Sequence, residues 1–254
     1  MKKTLSVCTA VLSLAGLSLA APDGTAILKS LELNENLRDD MHAQVSITET
    51  RPGQGAKAMS CEYYRRDSDK SFVILLTAPE SDRGNGYLRQ GEHFWMYRRN
   101  TRTFQHVNRD ESIGGSDARG QDFESRPLTQ MYAPSKDAQG KELLRADTVG
   151  GLPCWRLEVR AIVSDVDYPR RTYWVRQSDL LLSKDQSYSS SGTLMHTGYY
   201  TKYQAVAGRQ FPTRQIHVDE VEKGNRTLVD LTGIQVGKQD GQIFTKAWLE
   251  SQSK

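Results

Sequence analysis

Apolar and polar residues alternate with period two along most of this chain, and short turn-forming clusters separate one alternating stretch from the next. Trp155, Leu157, Val159 and Ala161 alternate with Arg156, Glu158 and Arg160, the cleanest such run. Ala43, Val45 and Ile47 alternate with Gln44, Ser46 and Thr48, and Met59, Cys61 and Tyr63 with Ser60, Glu62 and Tyr64, the turn between them lying at Arg51 to Gly55. Successive side chains of a strand point to opposite faces, so this pattern predicts strands with one buried face. Phe72 to Leu76 is apolar at every position and predicts a strand covered on both sides, ending at Ala78-Pro79. Short strands follow at 86 to 90, 94 to 97 and 103 to 107, and again near 171 to 176, 180 to 188, 194 to 204, 211 to 221 and 227 to 236. Many consecutive strands with short turns imply an antiparallel meander, mainly β with a few helices, and not a βαβ fold.

Helical signals are few. Asp23 is placed to cap a helix running to about Leu37, with Ala26, Ile27, Leu31 and Leu37 on its apolar positions. Residues 108 to 125 are polar and contain glycine, and Leu128, Met131 and Tyr132 suggest a short amphipathic helix crossing the sheet, so this middle stretch is the best lid candidate. Phe244 to Leu249 is expected to end the chain as a tail packed on the sheet.

The first 20 residues read as a cleavable secretory signal. Lys2 and Lys3 precede an uncharged apolar run from Leu5 to Leu19, too short for a stable membrane anchor, and Ser18-Leu19-Ala20 places small residues where signal peptidase reads them. Cleavage is expected before Ala21, leaving residues 21–254 as one domain. Cys8 follows Val7 and has no apolar segment before it, which argues against a lipid-attachment cysteine. The leader holds two of the 34 basic residues and none of the 31 acidic ones, so 32 face 31 afterwards, a formal charge of +1. That balance argues against a dedicated nucleic-acid binder. Cys61 and Cys154 remain inside strand-like segments, and spacing leaves open whether they form a disulfide or two small buried thiols.

Local signatures of catalysis are missing. There is no G-x-S-x-G elbow, no H-E-x-x-H, no C-x-x-C and no phosphate-binding glycine loop. The five histidines are scattered without metal-ligand spacing, so neither a metal nor a cofactor is expected. Asp219, Glu220 and Glu222 read as a solvated strand end. The arginine pairs at 65-66, 98-99 and 170-171 read mainly as edge charges that discourage aggregation. The 11 tyrosines and 4 tryptophans either line an apolar groove or fill a core between sheet and helices.

Several stretches resemble one known family. Tyr63 to Leu76 (YYRRDSDKSFVILL) and Asp82 to Gly91 (DRGNGYLRQG) are similar to bacterial outer-membrane lipoprotein-sorting proteins of the LolA-like superfamily. Phe94 to Tyr97, Ser116 to Arg119, Ser191 to Met195, Tyr199 to Tyr203, Phe211 to Thr213 and Phe244 to Glu250 follow the same pattern. The resemblance implies an unclosed antiparallel β half-barrel covered by short helices, a LolA/LolB-like fold with lipid held between sheet and helices. It implies a non-catalytic periplasmic carrier that sequesters the acyl chains of lipoproteins and sorts them toward the outer membrane. An inner-membrane donor, an outer-membrane acceptor and transient contact with a membrane surface follow from it as partners. Helix 25 to 37 and the 121 to 132 segment would open to release the chains. Candidate lining residues are Val45, Ile47, Met59, Tyr63, Phe72, Ile74, Trp155, Leu157 and Val159. A binding or sensor module on the same fold is the alternative.

Overall fold

The computed structural model describes residues 22–37, 39–108, 111–115, 120–123 and 126–253. The leader, its cleavage site and the family-like stretch Ser116 to Arg119 therefore lie outside the described residues. Asp23 caps α1 (Gly24–Glu35) by accepting a bond from the Ala26 N–H at 2.7 Å. The helix stops two residues short of the expected Leu37. Asn36 is extended, and Leu37 turns into the core of the neighbouring sheet, where it is fully covered.

Six strands follow in close succession: β1 (Met41–Arg51), β2 (Gly55–Arg66), β3 (Ser71–Ala78), β4 (Gly86–Gln90), β5 (His93–Arg98) and β6 (Thr103–His106). A single turn, α2 (Leu128–Met131), leads directly into β7 (Tyr132–Pro134). The rest is β8 (Leu144–Val149), β9 (Leu152–Ala161), β10 (Arg170–Arg176), β11 (Leu182–Tyr188), β12 (Leu194–Val206), β13 (Arg209–Asp219) and β14 (Arg226–Val236). α3 (Lys246–Gln252) closes the chain. All strands join one antiparallel sheet in the order β6-β5-β4-β3-β2-β1-β14-β13-β12-β11-β10-β9-β7, with β8 also paired to β9. The seam is the pairing of β1 with β14, which sets Val45 beside Leu231 and Ile47 beside Val229. Two meanders fan out from that seam, and their far edges, β6 and β7, do not pair, so the sheet is an open half-barrel.

Alternation decides what each face does. On the inner face, Val45, Ile47, Met59, Cys61, Tyr63, Phe72, Ile74 and Leu76 pack into one core beside the seam. A second inner core forms where α1 and α2 lie on β9 to β11, with Ile27, Leu28 and Leu31 against Leu157, Val159, Tyr173 and Val175. Thr129, at the start of α2, donates through its N–H and hydroxyl to the Glu32 carboxylate at 3.2 and 2.8 Å, which ties the two helices together. Val73 points the other way and joins Leu88 and Tyr97 under Phe244 and Leu249. β3 is thus covered on both faces, as its uninterrupted apolar run predicts. The expected tail is a short helical hook, Gly241–Phe244 followed by α3, on the outer face. Among the described residues no helix is long and apolar enough to cross a membrane.

The two cysteines stand on β2 and β9 with six strands between them, far beyond the roughly 7 Å that a disulfide spans. Both are free buried thiols, which resolves the choice the sequence left open. Burial, with Glu62 adding to it, pushes the Cys61 thiol up to about 12, so it stays protonated.

Candidate functional site

Between the two inner cores the sheet is not filled. A cavity of about 350 Å³ lies there, floored by β1, β2 and β10 to β14 and closed over by the end of α1 and by Phe123. One wall is apolar: Val45 and Ile47 from β1, Tyr63 from β2, Phe211 from β13, Val229 and Leu231 from β14. The opposite wall is polar: Arg171 from β10, Asp185 and Ser187 from β11, His196 from β12, Gln215 and His217 from β13. The volume falls in the range of small-molecule sites, about 300 to 1,000 Å³.

Three of the nine expected lining residues, Val45, Ile47 and Tyr63, face this space. Met59, Phe72 and Ile74 share the inner face but are core. The segment at 111–115 covers part of that face: the Tyr87 hydroxyl donates to the Ser112 carbonyl at 3.0 Å and accepts from the Gly114 N–H at 2.8 Å. Ile113 is thereby fully buried in the same core, and Gly114 sits so close to Met59 that a Cβ there would strike the sulfur. Phe123 packs edge-on against Tyr63, 5.2 Å between ring centroids, and lies tilted against Phe72 at 6.3 Å. Leu157 and Val159 are sealed under α1 and α2, and half-buried Trp155 packs against the same cluster. These six hold the lids down instead of touching the space beneath them.

The charged residues at the cavity are the ones sequence reading passed over. Arg65 and Arg171 each belong to an arginine pair, and strand alternation turns one member of the pair inward. Arg65 donates from Nε and Nη2 to the Asp67 carboxylate and from Nη2 to the Glu35 carbonyl at 2.7 Å, which fastens the end of α1 to β2. Burial works against its charge, but the bonds to Asp67, with Tyr63 and Glu35 nearby, outweigh burial and raise its pKa. Arg66 faces outward, paired with Asp69 and stacked over the Phe244 ring at 4.2 Å. Arg171 donates to the Ser187 hydroxyl at 3.0 Å and to the Tyr173 hydroxyl at 3.3 Å, and pairs with Asp185 at 3.4 Å. Burial opposes that charge too, and Tyr173 and Asp185 overcome it.

Glu35 carries the carboxyl at the end of α1. By surface area the residue is exposed, while its carboxyl group is crowded by the protein around the cavity. Burial raises its pKa above the usual carboxylate range, and the positive charges of Arg65 and Arg171 only partly counter this. A raised carboxyl pKa means that the folded protein holds this proton to higher pH than the unfolded chain does. Its contribution is therefore full below the unfolded pKa and declines as pH rises toward the folded one. Glu35→Gln is expected to remove that decline, making the variant more stable than the parent at neutral pH and equal to it in acid. Chemical denaturation across a pH series checks this; parallel curves for parent and variant would refute the assignment.

Among the described residues no group of three or more His, Cys, Asp or Glu side chains converges as a metal site would. Asp219 serves the turn after β13, accepting from the N–H groups of Val221 and Glu222 at 2.8 Å, and it also lines the cavity, which the reading of a solvated strand end did not foresee.

Solved structures share this architecture. The LolA superfamily protein NE2245 from Nitrosomonas europaea is 22% identical with a TM-score of 0.73, over 90% of this chain and 100% of its own. A DUF1329 family protein from Desulfovibrio piger is 17% identical with a TM-score of 0.76, over 89% of this chain and 97% of its own. A domain from Vibrio parahaemolyticus described as an outer membrane lipoprotein-sorting protein is 13% identical with a TM-score of 0.74, over 89% and 98%. At these identities the likeness is one of fold. A search of curated proteins returns no match. A family model described as "Uncharacterized protein" matches residues 68–251, from the β2–β3 turn to α3. The chain belongs to that family, and it is built on the LolA-like half-barrel that its sequence resembles.

Proposed function

We propose that the protein is a non-catalytic periplasmic carrier that takes acyl chains out of water and moves lipid or lipoprotein toward the outer membrane. The observation that carries this reading is the part-apolar cavity under α1, left unfilled between two well-packed cores and closed at one end by the contact of Arg65 with the Glu35 carbonyl. The expected export signal and the lipoprotein-sorting description of the Vibrio domain support it. Each methylene transferred to such a wall contributes about 0.8 kcal/mol. About ten of them supply roughly 8 kcal/mol before the entropic costs of association, enough for weak to micromolar binding. No covalent step is needed. The lids are the end of α1 and the segment carrying Phe123, and a donor at the inner membrane and an acceptor at the outer one complete the route.

A fluorescent fatty acid titrated into the purified protein is expected to bind saturably with a blue-shifted emission. Ile47→Asp, which places a carboxylate on the chain wall, is expected to weaken binding at least tenfold. Absence of saturable binding by the parent sinks the proposal, as does an Ile47→Asp variant that folds and binds like the parent.

A further inference from the structure

We propose that the polar wall of the cavity is a head-group subsite, and that the ligand is an amphiphile with an uncharged, hydroxyl-bearing head. This rests on the carrier reading above and adds the chemistry of the cargo to it. Strand register builds the subsite. Arg171 lies opposite Ser187, Ser187 opposite His196, and His196 opposite Asp219, forming one row across four strands. Asp185, Gly198, His217 and Thr227 form the adjacent row. At β14 the character changes, because Gln215 faces Val229, and Val229 faces Ile47 on β1. A ligand spanning the cavity thus meets hydrogen-bonding groups on one side and hydrocarbon on the other. A bare acyl chain lying on the first two rows would strip water from them and return no hydrogen bonds.

The charges on these rows select the head. Asp185, Asp219 and Glu35 face the space, so an anionic head meets carboxyl groups. Both arginines are already engaged, Arg65 by Asp67 and Arg171 by Asp185, Ser187 and Tyr173. A cationic head gains little, because Asp185 is already paired with Arg171 and Asp219 already accepts from the Val221 and Glu222 N–H groups. Hydroxyl groups fit the mixture, donating to carboxylates while accepting from the side-chain NH₂ of Gln215, whose amide oxygen is bonded to His217 Nε2 at 3.2 Å. Tyr168 packs edge-on to His196, with ring centroids 5.4 Å apart, and Tyr200 to His217, giving the rows aromatic flanks. Gly198 leaves the floor open between them, and a Cβ there would run into the Asp185 carboxylate.

The test is displacement of the fluorescent fatty acid by three probes with dodecyl-length chains, each below its micellar concentration: monododecanoylglycerol, dodecanoate and dodecyltrimethylammonium. The glycerol ester is expected to compete at about a tenfold lower concentration than either charged probe, a difference of about 1.4 kcal/mol. Gln215→Leu and His217→Leu are expected to erase that preference while dodecanoate binding persists. Ser187→Ala serves the same comparison should either leucine variant fail to fold. Glycerol alone is expected to displace nothing. Equal competition by all three probes overturns the subsite and leaves the carrier reading standing, as does an equal loss for all three in the variants. Displacement by free glycerol overturns the amphiphile and makes the site one for small polyols. Failure of every probe to compete, together with failure of the fatty acid to bind, overturns both.

Discussion

Arg65→Met is expected to lower stability by about 3 kcal/mol and to speed the release of a bound acyl chain several-fold. The Arg65 and Asp67 side chains are only 10% and 13% exposed. Removing one partner of such a pair leaves the other charge desolvated and uncompensated, a loss of about 3 to 5 kcal/mol. The low end applies because Asp67 sits at a hairpin turn, where water reaches it once the arginine is gone. In a chain of this size about 3 kcal/mol corresponds to a melting point lower by roughly 6 to 12 °C. The kinetic effect comes from a different atom. Arg65 Nη2 holds the Glu35 carbonyl, one of the last carbonyls of α1, and methionine retains the hydrocarbon stem without that bond. Asp67→Asn separates the two effects: it removes the charge pair but keeps the arginine on the carbonyl, so stability falls while release stays slow. Stopped-flow release of the fluorescent fatty acid, run beside thermal melts, checks both. A destabilised Arg65→Met protein with unchanged release would show that α1 is not fastened through this contact.

Much of this architecture is written in the alternation. β1, β2 and β9 stand where period two places them, β3 where its unbroken apolar run does, and β10 to β14 between the turn residues that bound them, while the Asp23 cap locates α1. β7 and β8 leave no such trace. β7 is three residues long and ends at Pro134, and β8 is largely exposed on both faces, so neither has a buried row to pattern. The cavity was harder to read, for a related reason. Period two says which residues turn inward but not what covers them, so Met59, Phe72, Ile74, Leu157 and Val159 were as eligible as Val45 and Ile47 until Ile113, Phe123 and α1 took their places above the sheet. The polar wall was legible in principle. In Arg65-Arg66 and Arg170-Arg171 adjacent side chains lie on opposite faces of a strand, so one arginine of each pair has to enter the half-barrel. An inward arginine needs an inward acid, and Asp67 and Asp185 are those acids.

That last pairing leads to the second large effect. Asp185→Ala is expected to cost about 3 kcal/mol, because Arg171 would keep its charge in a site whose own carboxylate is gone. Asp185 is 8% exposed and Arg171 27%, so some water reaches the guanidinium and the loss falls at the low end of the range for broken buried pairs. Adding Arg171→Met is expected to recover most of it, since replacing both members of such a pair by apolar groups is often neutral or stabilising. Head-group selectivity should behave in the opposite way, lost in the single variant and not regained in the double one. Denaturant unfolding of the parent, both single variants and the double variant gives the coupling energy, and the competition series on the same four proteins gives the selectivity. If stability returns in the double variant while the preference for the glycerol ester does not, the pair is retained for what it does to the ligand. If the double variant regains both, the preference resides elsewhere on the wall and Arg171–Asp185 is a packing solution alone.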